Sequence, residues 1–355
     1  MFEGQTLFVT GGAGFIGNTL VRRLLQRTAA RVVTLDALTY AGNVLSLGDA
    51  IGDPRHTFVQ GDIADAATVA ELIRQHSPRA VLNLAAESHV DRSIDGPSQF
   101  VQTNLVGTAT LLDAAYVYWR GLSEADANAF RFLQASTDEV FGSLAADEPP
   151  STEASPYTPN SPYAATKAGA DHLVRAYRQT YGLPTIITRS TNNYGPRQHP
   201  EKLIPLMAMR ALAGEPLPIY GDGLQVRDWL HVDDQCEALI TVLDRGALGE
   251  TYNLGADDPR TNLQVVHAIC DAVDTHAGRP AGETATLITH VEDRPGHDRR
   301  YALNSEKANG LEWRPQTSFS AGVEATVAWY ATNRKWVEAA ADGNPKKRIG
   351  LRPRG

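Results

Sequence analysis

Two side chains one helical turn apart could perform acid–base chemistry. Tyr163 and Lys167 follow Ser161, which suits a helix N-cap, and Pro162, which suits the first helical position. In a helix, a spacing of four residues places both side chains on one face. A nearby ammonium stabilises phenolate, so we expect the pKa of Tyr163 to fall and Tyr163 to act as base toward an alcohol. The alternative is an ordinary pair on a helix surface.

Two adjacent carboxylates form a second candidate group. Asp138 and Glu139 follow Thr137 at the end of a predicted strand. Neighbouring acids can divide acid and base roles when their surroundings separate their pKa values. Thr137 is placed to hydrogen-bond the same alcohol as the tyrosine. The alternative is a solvated turn in which Asp138 caps the next segment.

Three glycines mark a candidate dinucleotide site. Gly11 and Gly14 lie between the predicted strand Thr6–Thr10 and the predicted helix Phe15–Arg27, and Gly17 lies in the first turn of that helix. In that context the glycines permit a tight turn, close approach to a pyrophosphate and close helix–strand packing. The helix N-terminus would then face the phosphates. The alternative is a plain tight loop.

The second predicted strand ends at Asp36, whose carboxylate can accept hydrogen bonds from both ribose hydroxyls. It would repel a 2′-phosphate, and no Arg or Lys follows directly, so NAD is favoured over NADP. Further contacts with the adenosine and pyrophosphate are expected at Phe15, Ile16, Ala37, Leu38, Thr39, Asp62 and Ile63.

The elements that must position these residues alternate between short apolar strands and longer helices. This spacing predicts parallel strands joined by helices. We predict an α/β fold, a Rossmann-type doubly wound parallel sheet with a smaller C-terminal substrate domain. The runs 229–232 and 251–254 are expected to return to that sheet. The predicted domains are 1–190 with 229–254 for NAD, 191–228 and 255–340 for the substrate, and a tail at 341–355.

Composition restricts the class of protein. The 355 residues are 42% hydrophobic and 21% charged with a net charge of −8, which is typical of a soluble protein and argues against nucleic-acid binding. No apolar run approaches the roughly 18 residues of a membrane span. The N-terminus lacks signal-peptide features, so a cytoplasmic location is expected. Cys236 and Cys270 are expected to be buried packing residues rather than a nucleophile or a disulfide.

Several longer segments resemble a known family. They are the Tyr163/Lys167 pair, LAAESHVD at 84–91, TDEVFG at 137–142, NNYGP at 192–196 and DRPGH at 293–297. Together they resemble the extended short-chain dehydrogenase/reductases, within them the enzymes that dehydrate nucleotide-activated glucose. Phe141, where the family more often has Tyr, and the pair Ser190-Thr191 depart from the pattern.

The resemblance implies a mechanism on dTDP-glucose with NAD as a retained cofactor. Tyr163, tuned by Lys167, takes the proton from the 4-hydroxyl while hydride passes from C4 to NAD. Glu139 then removes the C5 proton, and a protonated Asp138 assists departure of the 6-hydroxyl. Hydride returns to C6 and C5 is reprotonated, giving a 4-keto-6-deoxy sugar nucleotide. The resemblance also implies a homodimer formed by helices 97–118 and 162–181.

The matching motifs imply further site residues. No metal ion is expected among them. The resemblance implies NAD contacts at Leu84, Ala85, Ala86, Ser88, Thr103 and Asn193. It implies contacts with the sugar nucleotide at Ser88, Thr137, Asn192, Lys202, Leu203, Pro218, Ile219, Tyr220, Arg227, Asn262, Asp293, Arg294 and His297. The two arginines suit a diphosphate.

Three alternatives stay open at this point. A nucleotide-sugar 4-epimerase of the same fold has no use for two acids after Thr137, and a decarboxylase has less need for Asp138. A non-catalytic NAD-binding protein could lose Tyr163 or Lys167 freely, yet this chain has both. The sequence does not decide between thymine and uracil as the nucleobase.

Overall fold

A computed structural model describes residues 2–293 and 297–342. The strands are β1 Thr6–Thr10, β2 Arg31–Asp36, β3 His56–Gln60, β4 Ala80–Asn83, β5 Arg131–Thr137, β6 Thr185–Ser190, β7 Asn192–Tyr194, β8 Leu217–Tyr220, β9 Val226–His231, β10 Thr251–Leu254, β11 Pro259–Thr261 and β12 Ile288–Val291. The helices are α1 Phe15–Arg27, α2 Ala66–His76, α3 Val90–Asp95, α4 Pro97–Phe100, α5 Thr108–Arg120, α6 Glu124–Ala129, α7 Pro162–Tyr181, α8 Leu203–Ala213, α9 Val232–Arg245, α10 Asn262–Ala277, α11 Glu306–Asn309, α12 Phe319–Thr332 and α13 Arg334–Asp342.

Seven parallel strands form the main sheet in the order β10-β6-β5-β4-β1-β2-β3. Apart from the edge strand β3, these strands are mostly buried because helices cover both faces, with α1 and α9 on one side and α2, α5 and α7 on the other. The order of connections reverses between β1 and β4. In an open α/β sheet, ligands bind at the carboxyl ends of strands beside such a reversal. The predicted Rossmann-type fold is confirmed.

One strand joins a different sheet from the one predicted. β9 lies between β7 and β11 in a three-stranded sheet, so the prediction that residues 229–232 return to the main sheet is wrong. β10 does pair with β6, as predicted. The sequence of a short apolar strand does not indicate which strand it pairs with. Here β9 pairs with the nearby strand β7, Asn192–Tyr194. A second core lies beneath this sheet, between α8, α10 and α12.

The long helical region before β5 contains a change of helix type. Residues Val101–Gly107 form a π-helical segment that joins α4 to α5. Such segments are rare and are found mostly at functional sites. Asn104 of this segment bonds the backbone N–H and carbonyl of Glu87 and the hydroxyl of Thr166, so it fixes the chain after β4 against α7.

The described residues bear on the cysteines, on membrane-spanning helices and on metal-binding clusters. Cys236 and Cys270 are both buried and unbridged, as expected of packing residues. Within residues 2–293 and 297–342, no helix has both the length and the hydrophobicity that a membrane crossing requires. The same part of the chain contains no group of three or more His, Cys, Asp or Glu side chains arranged to hold a metal ion.

Candidate active site

The glycine turn after β1 leaves no room for side chains. Gly11 has a φ of +68°, and a Cβ on Gly17 would lie 2.0 Å from the Gly11 carbonyl oxygen. Gly14 is the N-cap of α1 and offers no side-chain cap. The N–H groups of Phe15 and Ile16 in the first turn therefore remain available to an anion at the helix N-terminus. This cradle fits a pyrophosphate.

Asp36 lies beside this turn at the carboxyl end of β2. Its two carboxylate oxygens accept hydrogen bonds from the Ala13 and Leu38 N–H groups, both at 2.8 Å. Burial raises the pKa of Asp36. Gly14 N–H is a third backbone donor to this carboxylate, which has about four acceptor positions and so can still accept a hydrogen bond from a ribose hydroxyl. The residues present therefore fit NAD, with the carboxylate toward the ribose and the glycine turn toward the phosphates.

The remaining predicted cofactor contacts lie in the segments that follow β2, β3 and β4, and at Thr103. Thr39 hydrogen-bonds the Glu87 carboxyl, which joins the chain after β2 to the chain after β4. Ile63 is buried, whereas Asp62 accepts a hydrogen bond from Ala64 N–H within its own turn at 2.8 Å. The other members are partly buried, except Ala37, which is exposed; the set is Ala37, Leu84, Ala85, Ala86, Ser88 and Thr103.

The turn after β5 places both carboxylates at the sheet edge. Residues Asp138–Phe141 form a 3-10 turn, and the Thr137 hydroxyl accepts a hydrogen bond from Glu139 N–H at 3.3 Å and donates one to Asp138 Oδ1 at 3.2 Å. Asp138 is 4% exposed, and its Oδ2 has no hydrogen-bond partner among the described residues. Burial, reinforced by the charge of Glu139, raises the pKa of Asp138 to about 8. Asp138 is thus a protonated acid at neutral pH.

Tyr163 and Lys167 lie on one buried face of α7, as the spacing predicts. Ser161 caps this helix by accepting a hydrogen bond from Ala164 N–H at 3.1 Å. In the chain without its ligands, burial, together with the charge of Glu139, raises the pKa of Tyr163, so the expected fall depends on what the bound cofactor adds. Burial also lowers the pKa of Lys167 to about 8. The positive nicotinamide ring is what remains to favour phenolate.

The four groups converge on one place. Thr137 hydrogen-bonds the Tyr163 hydroxyl, and the charges of Glu139 and Asp138 both act on that phenol. The charge of Glu139 also acts on Asp138. Two carboxyl groups and a phenol therefore lie close enough to affect one another's protonation at the carboxyl end of β5. The burial of Asp138 argues against the solvated-turn alternative.

Arg227 closes this volume from the three-stranded sheet. Its guanidinium donates to the Asp298 carbonyl at 2.8 Å and lies 4.2 Å from the centre of the Tyr301 ring. Asp293 accepts a hydrogen bond from Gln225 and pairs with His297 at 2.7 Å. Arg294, the second predicted diphosphate ligand, lies outside the described residues.

The other predicted substrate residues lie in β7, in β8 and at the starts of α8 and α10. The Oδ1 atoms of Asn192 and Asn193 are buried and lack hydrogen-bond partners in the described parts of the chain. Lys202 donates to the Ser88 carbonyl at 3.2 Å. Ile219 is buried in the second core, so only its backbone can contact a ligand. Leu203, Pro218, Tyr220 and Asn262 are partly buried at the ends of α8, β8 and α10.

Sequence reasoning missed two groups of residues. Tyr301 faces the carboxylates, since the charge of Glu139 acts on its hydroxyl. Glu201 pairs with Arg92 at 3.3 Å, and the Arg92 guanidinium lies 3.6 Å from the centre of the Tyr40 ring. Tyr301 lies four residues after the end of the DRPGH segment at 293–297 and could have been included by extending it. Nothing in the sequence places Tyr40 beside Arg92.

The raised pKa of Asp138 has a measurable cost in stability. Between the ordinary pKa of about 3.9 and about 8, the folded protein holds a proton that the unfolded chain has lost, so stability falls as pH rises through that range. Asp138→Asn should therefore raise the free energy of unfolding, by a few kcal/mol at pH near 8 and by little near pH 4. Denaturant titrations of both proteins across this range measure the difference. A gain independent of pH would contradict the assigned protonation.

Comparisons with known proteins agree with this site. The family model for GDP-mannose 4,6 dehydratase matches residues 8–326. The dTDP-glucose 4,6-dehydratase of Xanthomonas campestris pv. campestris (strain B100) is 55% identical over 97% of this chain and 99% of that protein. The dTDP-glucose 4,6-dehydratase 1 of Escherichia coli (strain K12) is 51% identical over 95% of this chain and 96% of that one.

A solved structure shows the same similarity in three dimensions. DesIV of Streptomyces venezuelae, a dTDP-glucose 4,6-dehydratase crystallised with NAD bound, has a TM-score of 0.85 and 47% sequence identity. The match covers 94% of this chain and 99% of DesIV. This chain belongs to the GDP-mannose 4,6-dehydratase family, and within it to the dTDP-glucose 4,6-dehydratases of the extended short-chain dehydrogenase/reductases.

Proposed function

We propose that this protein catalyses the NAD-dependent dehydration of dTDP-glucose to the 4-keto-6-deoxy sugar nucleotide. The observation that carries the proposal is the buried, protonated Asp138 beside Glu139 and Tyr163. A 4-epimerase needs the tyrosine but has no use for a neutral acid and a base next to it. The relatives above, which span nearly the full chain, bear the name of this activity.

The chain's own residues account for each proton. NAD would be held by the glycine turn and Asp36, and when bound it would supply the hydride acceptor for C4 and the hydride donor for C6. Tyr163 accepts the proton of the 4-hydroxyl, and the Lys167 ammonium on the same helix face stabilises the phenolate. The 4-ketone acidifies the C5 hydrogen, which Glu139 removes as base. Asp138 donates its proton to the 6-hydroxyl, which leaves as water. As hydride reaches C6, the proton held by Glu139 returns to C5 and completes the 4-keto-6-deoxy product.

Residues outside the main sheet would recognise the nucleotide part of the substrate. Arg227 offers a buried guanidinium to the diphosphate, and Arg294 is the second candidate from the sequence. The buried Oδ1 of Asn192 is free to accept a hydrogen bond from the sugar nucleotide. The preference for thymine is supported by the relatives' names and not by a contact described in this chain.

The defining experiment needs no added cofactor. Incubation with dTDP-glucose should yield a product lighter by one water, detected by mass spectrometry, because NAD is regenerated within each turnover. Deuterium placed at C4 should appear at C6 of the same molecule. Deuterium released to bulk water would contradict a retained hydride, and an intact C4 epimer as the only product would favour the epimerase. A parallel incubation with UDP-glucose decides the nucleobase.

We further propose that the protein is a cytoplasmic homodimer that pairs through α5 and α7. The region from Val101 to Tyr181 exposes apolar side chains there: Val101, Val106, Val117 and Tyr181 are 42%, 40%, 73% and 48% exposed. An apolar patch of this kind is typical of a protein interface. Sedimentation of the wild type should give a dimer, and Val117→Glu should shift it toward monomer.

A further inference from the structure

A buried ion pair lies behind the Tyr163–Lys167 pair and takes part in no step above. Asp171 and Arg189 have side chains 1% and 5% exposed, and Arg189 Nε lies 3.3 Å from Asp171 Oδ2. The Tyr157 hydroxyl donates to the same oxygen at 2.8 Å and accepts a hydrogen bond from Arg189. Because desolvation offsets most of the attraction in a buried ion pair, stability alone is a weak reason for it.

Asp171 lies one helical turn after Lys167 on the same buried face of α7. Lys167 Nζ donates to the Ala135 carbonyl at 2.6 Å, and no carboxylate within the described residues lies at ion-pair distance from it. Burial lowers the pKa of Lys167, and the charge of Asp171 opposes that effect.

Other charged and titratable groups lie on the elements around Lys167. They are Tyr163 on α7, Tyr157 before it, Asp138 and Glu139 after β5, Arg189 on β6, and Glu87 and His89 after β4. Of these groups, Asp171 is the one whose charge raises the pKa of Lys167.

Arg189 extends the network to the carboxylate turn. Its guanidinium lies between two rings, 4.9 Å from the centre of Phe141 and 4.8 Å from the centre of Tyr157. Phe141 is the last residue of the 3-10 turn that begins at Asp138. The ion pair therefore joins the helix that carries the phenol and ammonium to the turn that carries the acid and base.

We propose that Asp171 and Arg189 are positioning residues for the reaction: Asp171 anchors Arg189 and places a buried negative charge one helical turn from Lys167, and Arg189 holds the Asp138–Glu139 turn against α7. The kinetic consequences rest on the proposed function. The electrostatic consequence does not, because it can be measured without turnover.

Asp171→Asn tests the first half. Its charge raises the pKa of both Lys167 and Tyr163, so its removal should move both limbs of the pH profile of kcat/KM to lower pH by about one unit. The phenolate absorbance of Tyr163 in the holoenzyme without substrate should shift in the same direction. The contribution of Tyr163 is obtained by subtracting the absorbance of the same protein that also carries Tyr163→Phe.

Tyr157→Phe is the matched control, since it removes a hydrogen bond to Asp171 and no charge; both limbs should stay in place. If Asp171→Asn lowers activity with neither the limbs nor the phenolate titration displaced, Asp171 is only structural and the proposal is overturned. A wild type that releases no water from dTDP-glucose would refute the proposed function, while the phenolate titration would still decide this inference.

Arg189→Lys tests the second half and remains informative if Asp171→Asn does not fold. Lysine keeps the charge but cannot stack between two rings. Loss of water should slow by about tenfold or more because the carboxylates are misplaced, while oxidation at C4 slows less. Single-turnover measurements of reduced nicotinamide and of dehydrated product separate the two steps. Equal slowing of both steps, or of neither, would overturn the role of Arg189.

Discussion

Tyr163→Phe should lower kcat by about 10³-fold or more while the protein keeps its NAD. The variant loses the phenol hydroxyl that interacts with Thr137 and with the two carboxylates. The phenylalanine ring still fills the buried position of Tyr163, which is 8% exposed. The cofactor contacts at the glycine turn and Asp36 lie on other elements. Steady-state rates with dTDP-glucose and the NAD content of the purified protein measure the two effects.

The control for this variant is Tyr157→Phe, the same chemical change at a phenol that bonds Asp171 rather than the reacting alcohol. It should retain most of kcat. Turnover of Tyr163→Phe within a fewfold of the wild type would remove Tyr163 from the role of base. Loss of NAD from the variant would show instead that the substitution damages the cofactor site.

Glu139→Gln should lower kcat by about 10³-fold and stop exchange of the C5 hydrogen with solvent, because the amide cannot accept that proton. Oxidation at C4 should continue slowly, so reduced nicotinamide accumulates after mixing with substrate. The charge of Glu139 also raises the pKa of Asp138 and Tyr163, so both should titrate at lower pH in the variant. Stopped-flow absorbance and deuterium incorporation follow the two steps.

Asp138→Asn provides the matched comparison, since it removes the acid and leaves the base. It should still exchange the C5 hydrogen while losing water slowly, the reverse of the Glu139→Gln result. Solvent exchange at C5 that survives in Glu139→Gln would assign the base to another group, and Tyr301 is the nearest alternative because the charge of Glu139 acts on it.

Local chemistry made the main elements and the motif residues predictable. α1 and α7 begin and end where predicted, because a glycine turn opens one helix and a Ser-Pro cap opens the other. Adjacent residues such as Asp138 and Glu139 remain neighbours in any fold, so their pairing needed no tertiary information. The match of whole segments to a family extended this to residues far apart in the chain.

Long-range electrostatics and partner choice were not predictable. The spacing of Tyr163 and Lys167 suggested a lowered phenol pKa, but burial and the charge of Glu139, contributed by another element, raise it. β9 joined β7 and β11 because strand pairing depends on which edges lie nearby, not on the strand's own sequence.

By itself, the sequence determined the parallel α/β fold, the glycine turn with Asp36, and the identity of the tyrosine, lysine and paired acids. Only the tertiary structure decided that Asp138 is buried enough to stay protonated, that Arg227 lies near Asp138 and Tyr301 near Glu139, and that Asp171 and Arg189 lie behind Lys167. The physical reason is that helix and turn preferences act over a few residues, whereas desolvation and charge depend on what every other part of the chain packs around a group.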